Sequence, residues 1–171
     1  MHWIWITLVA LALLVLIVYL IGLRVPRAHS ATRSIVVQRS PDEIWGVISD
    51  FANYPKWRRA MKGIERMADR EGKPVWAETS SFGKIPYVVD LSRAPNELVT
   101  VIASEKLPFA GRWTYSITPV EGGTRVAITE DGEIKPPIFR ALARFVFGYT
   151  GTMDVVLKDL AKHFGEDARP A

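Results

Sequence analysis

Glu78 and Glu130 are the two residues of this 171-residue chain whose setting points to acid or base chemistry. In Trp76-Ala77-Glu78, and again in Val126-Ala127-Ile128-Thr129-Glu130, the glutamate shares the parity of large apolar residues. Alternate side chains of a strand face the same side, so both carboxylates are expected to point inward. An inward carboxylate needs a partner. Three outcomes are open to it: a structural pairing with Arg112 or a tyrosine, a contact with the polar head of a ligand, or a raised pKa suited to proton transfer. Asp131-Gly132 bears on Glu130 as well, because a bulge there would reset the parity.

Composition narrows the remaining chemistry. The chain has no cysteine, which removes disulfides, thiolate metal sites and cysteine nucleophiles together. His2, His29 and His163 stand at or near the ends, so neither a zinc triad nor a serine–histidine pair is expected inside the domain. No Walker loop, dinucleotide fingerprint or EF-hand is present, and no cofactor or metal is implied. The net charge of +4 comes with no basic run and no RNA-binding signature, so nucleic acid is not an expected partner.

Several elements must position the two glutamates. From Trp3 to Leu23 runs an uncharged stretch of 21 residues, long enough as a helix to span about 30 Å of hydrocarbon. It reads as a single transmembrane anchor over residues 1–23. A secretory signal has a basic leader and a shorter apolar core, although small residues at Ala28 to Ala31 keep cleavage as the alternative. Arg24, Arg27 and Arg33 follow the helix, which by the positive-inside rule places the soluble part in the cytoplasm. All 22 basic residues lie after the helix, which suits a domain held near anionic lipid.

Past a linker at 24–33, a domain is expected over 34–166, with a tail at 167–171. Ser34 to Gln38 reads as a first strand. Ser40-Pro41-Asp42-Glu43 starts a helix, with Ser40 as N-cap, Pro41 at the first helical position and acids in the first turn. Asn53-Tyr54-Pro55 turns the chain into a second short helical piece. Six strands are then expected near Ile64–Ala68, Val75–Phe82, Ile85–Ser92, Leu98–Glu105, Arg112–Pro119 and Thr124–Glu133. Short turns join them, so they form an antiparallel meander. Pro136-Pro137 opens one long helix to about Phe164, whose apolar stripe must lie on the sheet. Gly148 and Gly151 interrupt that helix and require a bend or a close approach. Arg140, Arg144, Lys158 and Lys162 share its other face, read as solvated or turned toward a membrane.

The segments SPDEIWGVISDFANYPKW, GRWTYSITPVEGGTRVAITEDGEI and FRALARFVFGYTGTMDVVLKDLAKHFGE resemble the START-related SRPBCC superfamily, in particular its polyketide cyclase/dehydrase-like and lipid-transport-like members. The resemblance covers about Arg33 to Glu166. It implies an α+β helix-grip fold, in which a curved antiparallel sheet wraps a long C-terminal helix around a deep apolar cavity. Phe51 and Tyr54 are expected to pack beneath the helix or rim that cavity. The ring-bearing residues Trp57, Trp76, Tyr87, Phe109, Trp113, Tyr115 and Tyr149, with Met153, are the expected ligand contacts. The expected partner is a hydrophobic small molecule, bound or transferred. The alternative is a cyclase or dehydratase in which Glu78, Glu130 or a tyrosine supplies acid and base.

Overall fold

The computed structural model describes residues 2–80 and 83–171. The apolar run forms helix α1, His2–Arg24, long and apolar enough to cross a membrane. Its side chains are exposed nearly throughout, and Gly22 is its one buried residue. Strand β1, Ala28–Val37, begins six positions before the expected Ser34, so the second half of the expected linker is sheet.

Helix α2, Pro41–Ile48, starts as its sequence requires. Glu43 N donates to Ser40 Oγ at 3.3 Å while Ser40 N donates to Glu43 Oε2 at 2.8 Å. Such a reciprocal cap satisfies two orphan donors of the first turn, and loss of an N-cap costs about 1 kcal/mol. A 3-10 turn at Phe51–Asn53 leads into the single-turn helix α3, Tyr54–Trp57.

The expected meander is present as β2 (Gly63–Arg70), β3 (Lys73–Ser80), β4 (Gly83–Arg93), β5 (Glu97–Ile102), β6 (Phe109–Val120) and β7 (Gly123–Ile134). The expected end of the third strand at Phe82 lies outside the described residues. β1 pairs with β7, which closes a seven-stranded antiparallel sheet in the order β1-β7-β6-β5-β4-β3-β2. No bulge occurs at Asp131-Gly132: β7 keeps one register against both β1 and β6. Bulges fall instead between Met67 and Arg70 and between Val89 and Leu91, where they bend the outer half of the sheet.

Both edges of the sheet carry features that discourage further pairing. β2 is exposed and studded with Glu65, Arg66, Asp69 and Arg70. On β1, Ser34 exchanges both backbone hydrogen bonds with Ala171, at 3.1 and 2.9 Å.

The expected single helix over 137–164 is broken in two. α4 spans Pro137–Leu142 and runs into a π turn at Ala143–Phe147, and α5 spans Gly151–His163. Gly148 separates them at φ +72°, a backbone conformation that a residue with a Cβ rarely adopts. Only α5 grips the sheet as the apolar stripe requires. Met153, Val156, Leu157, Leu160 and Ala161 are buried in one cluster with Ile35, Val37, Ile44, Ile48, Ile117, Val126 and Ile128. Upstream of the break the stripe is exposed at Phe139 and Val146. Arg140, expected on a solvated face, is buried and donates from Nη1 to Val25 O at 2.9 Å. α4 packs on the end of α1, where a Cβ on Gly22 would fall within 1.9 Å of Pro137 O.

Candidate functional site

Because α5 covers only one end of the concave face, the other end is left hollow. The hollow is a cavity of about 730 Å³, within the range of small-molecule sites. Its floor is built from rows of residues that sheet register places side by side. One row is Thr100, Trp113 and Glu130 on β5, β6 and β7, and the next toward the core includes Tyr115 on β6. Phe139, Leu142, Ala143, Phe147 and Tyr149 close it from the side of α4 and the π turn.

Glu130 keeps the inward parity expected of it. Its Oε2 accepts from Trp113 Nε1 at 2.8 Å, and its Oε1 lies 3.4 Å from His29 Nε2. Neither Arg112 nor a tyrosine is its partner: Arg112 is exposed on the other face and reaches Asp90 at 3.3 Å. His29 is the residue the sequence reading set aside. It sits inside the domain, on β1, with its ring stacked 4.1 Å from Tyr149. A glycine beside it makes that possible. His29, Gly132 and Gly111 face one another across β1, β7 and β6, and a Cβ on Gly132 would come within 2.4 Å of the imidazole. A histidine is therefore available to the cavity after all, and its Nδ1 has no hydrogen-bond partner among the described residues.

A second polar pole lies at the α3 end of the cavity. Glu78 accepts from Arg58 Nη1 at 2.6 Å and from Nη2 at 3.2 Å, a bidentate pair with both side chains largely shielded. Burial opposes the charge on Arg58, but the Glu78 carboxylate and neighbouring phenols outweigh it and raise its pKa. Arg58 also lies over the Tyr54 ring, at 5.1 Å from the centroid. Sequence reasoning missed Arg58 because it follows a four-residue helix whose direction no periodicity reveals.

Burial first, and then the Glu78 charge, push the Tyr87 phenol far above its ordinary range. Burial likewise raises Tyr54 and Tyr115. All three are neutral donors at physiological pH, which removes them as general bases. Tyr54 is spent on Ile48 O, at 2.6 Å, whereas the buried Tyr87 Oη faces the Glu78 carboxylate without a well-formed hydrogen bond to any described residue. The raised phenols have a consequence for stability. A proton held in the folded state but lost from the unfolded chain above pH 10 stabilises the fold below that pH, and the contribution disappears as pH rises. Each such group contributes a slope of about 1.4 kcal/mol per pH unit. Melting temperature is thus expected to fall steeply above pH 10, and Tyr87→Phe to flatten the fall by about a third.

The structure divides the expected ligand contacts. Tyr87, Phe109, Trp113, Tyr115 and Tyr149 line the cavity together with Glu78 and Glu130, and Phe51 and Tyr54 join them. Trp57, Trp76 and Met153 do not. Trp57 is buried against Tyr54, at 5.4 Å between centroids, and Met153 is fully enclosed in the core. Trp76 packs 5.7 Å from Phe51, and the Arg66 guanidinium lies over its ring at 5.6 Å from the centroid. These three belong to the packing that holds the wall.

The fold and its hollow define a START-like protein with a ligand-sized apolar cavity. More specifically, the chain belongs to the family described as polyketide cyclase / dehydrase and lipid transport, whose model matches residues 28–165. Among solved structures it is similar to a START superfamily protein from Mycobacterium smegmatis, with 21% identity and a TM-score of 0.62 over 79% of this chain and 96% of that one. It is also similar to norcoclaurine synthase from Thalictrum flavum, with 14% identity and a TM-score of 0.64 over 86% and 91%. The di-domain ARO/CYC protein StfQ of the steffimycin biosynthetic pathway matches at 14% identity and a TM-score of 0.61, over 81% of this chain and 52% of that one. At these identities the likeness is one of fold. No curated protein sequence matches this chain. Family and fold together support hydrophobic-ligand binding or a polyketide cyclase-like function.

Proposed function

We propose that this protein is a membrane-tethered binding and transfer protein for an apolar small molecule with an oxygen-bearing head, such as a lipid, quinone, isoprenoid or polyketide-like compound. The soluble domain would face the cytoplasm, as the arginines after α1 suggest. One observation carries the reading: an apolar cavity of about 730 Å³ is lined by the buried Tyr87 Oη, which faces Glu78 but makes no well-formed hydrogen bond among the described residues. An unsatisfied buried hydroxyl costs about 1–3 kcal/mol, which a carbonyl or hydroxyl on the ligand would recover. Beside it, Arg58 and Glu78 already satisfy each other, so the head that fits there is neutral.

The full-length protein purified in mild detergent should retain, or take up in a 1:1 ratio, a long-chain alcohol or quinone detectable by native mass spectrometry. Tyr87→Phe should weaken that binding about tenfold and leave a pure hydrocarbon unaffected. A protein that is empty and binds neither class would overturn the reading.

The cyclase alternative gains from a single feature, the approach of His29 to Glu130 beside Tyr149. A carboxylate next to an imidazole can orient it for proton transfer. Turnover of a poly-β-carbonyl substrate, abolished by His29→Ala, would favour this reading over carriage.

A further inference from the structure

The part of the molecule nearest the end of the apolar helix is the lip of the cavity. α4 lies on the end of α1, fastened by the close contact of Gly22 with Pro137 and by the bond from Arg140 to Val25 O. The π turn that follows presents Phe145, Val146 and Phe147 to solvent at 69, 66 and 73% exposure. Phe139, half exposed, extends the patch on α4. Three consecutive large apolar side chains left outside the core form an interaction surface rather than a scattering of single exposed residues. Phe139 and Phe147 are also walls of the cavity, so the same segment separates the hollow from whatever covers the patch. Arg24, Arg27 and Arg144 are exposed along the same region.

We infer that this patch is seated in the bilayer that holds α1, and that ligand passes between lipid and cavity across the π turn without entering water. Continuity with α1 selects the occupant. A membrane helix ending at Arg24 brings α4 to the headgroup level, where aromatic side chains partition and arginines meet anionic lipid. The backbone supplies the means of opening. Gly148 at φ +72° ends the π turn in a conformation that glycine alone adopts readily, and it stands with Gly151 at the junction with α5, where a change of backbone angle would move the turn and leave α5 in the core. The passage of ligand rests on the binding function proposed above; the seating of the patch does not.

The absence of cysteine from the chain makes the test direct. Full-length Phe145→Cys, labelled with an environment-sensitive dye, is reconstituted in phosphatidylcholine/phosphatidylglycerol vesicles containing lipids with a shallow spin-label quencher. Glu121→Cys, in the distant β6–β7 turn, is the control. The dye at 145 should be quenched at least threefold more than the dye at 121. Equal quenching, or a dye at 145 buried against protein and untouched by lipid quencher, would overturn the seating. In a second arm, Phe145→Asp/Val146→Asp should slow uptake of a pyrene-labelled fatty acid from vesicles at least tenfold while its affinity in detergent stays unchanged. Unslowed uptake would overturn the lipid route. If the probe fails to bind in detergent, the binding reading fails for that ligand class, and the quenching arm still decides the seating.

Discussion

Arg58→Met should be among the most destabilising single substitutions in the domain, lowering stability by about 3 to 5 kcal/mol. The side chain it replaces is 12% exposed and holds both oxygens of Glu78. Without it the carboxylate stays in the cavity wall with no other ion-pair partner among the described residues. Most of the loss is therefore the penalty on Glu78, not the intrinsic strength of the pair. The double variant Arg58→Met/Glu78→Leu should regain most of the lost melting temperature, because removing both charges removes the penalty. Thermal unfolding of the two single variants and the double, in the same detergent, closes the cycle. If Arg58→Met melts like the wild type, the pair is solvated in solution and Glu78 does not belong to an enclosed site.

The opposite result is expected for a substitution that adds volume. Thr100 stands at the middle of β5, between Val89 and Trp113, with its side chain in the hollow. Thr100→Trp should lower affinity for any apolar ligand by at least tenfold, equivalent to about 1.4 kcal/mol. Stability should hold or rise, since the ring enters empty space where a packed core would be strained by about 1 to 3 kcal/mol. Titration with an apolar fluorophore, beside a melting curve, reads both. A variant that binds normally would show that ligand sits elsewhere, and one that is strongly destabilised would show that the cavity is already filled by protein.

What could be read from the sequence was what a local rule fixes. The Ser40–Glu43 cap, the six meander strands and the inward parity of Glu78 and Glu130 each depend on spacing within a few residues. Residues that depend on distant register were hidden. Ala28 to Arg33 is small and polar and looks like linker, and only pairing with β7 makes it a strand that carries His29 inward. The signal that could have found it was Gly132, a gap in an otherwise filled strand that a neighbour's side chain occupies. Gly148 and Gly151 called for a bend or a close approach, but the apolar period from Phe139 to Phe164 continues across them and could not show that its first half leaves the sheet. Nor can an aromatic residue reveal whether its ring meets a wall or a hollow, which is why Trp57 and Trp76 were grouped with Tyr87 and Trp113.

The guarded edges of the sheet bear on how such a protein can be tolerated at high copy number. With α1 in a bilayer, as proposed above, copies would diffuse in two dimensions and their sheet edges would meet repeatedly. An open edge would template strand-to-strand association and clustering. The charges and bulge on β2 make one edge a poor template, and the backbone bonds between Ala171 and Ser34 occupy one position of the other. Crowded copies are thus discouraged from being stitched sheet to sheet.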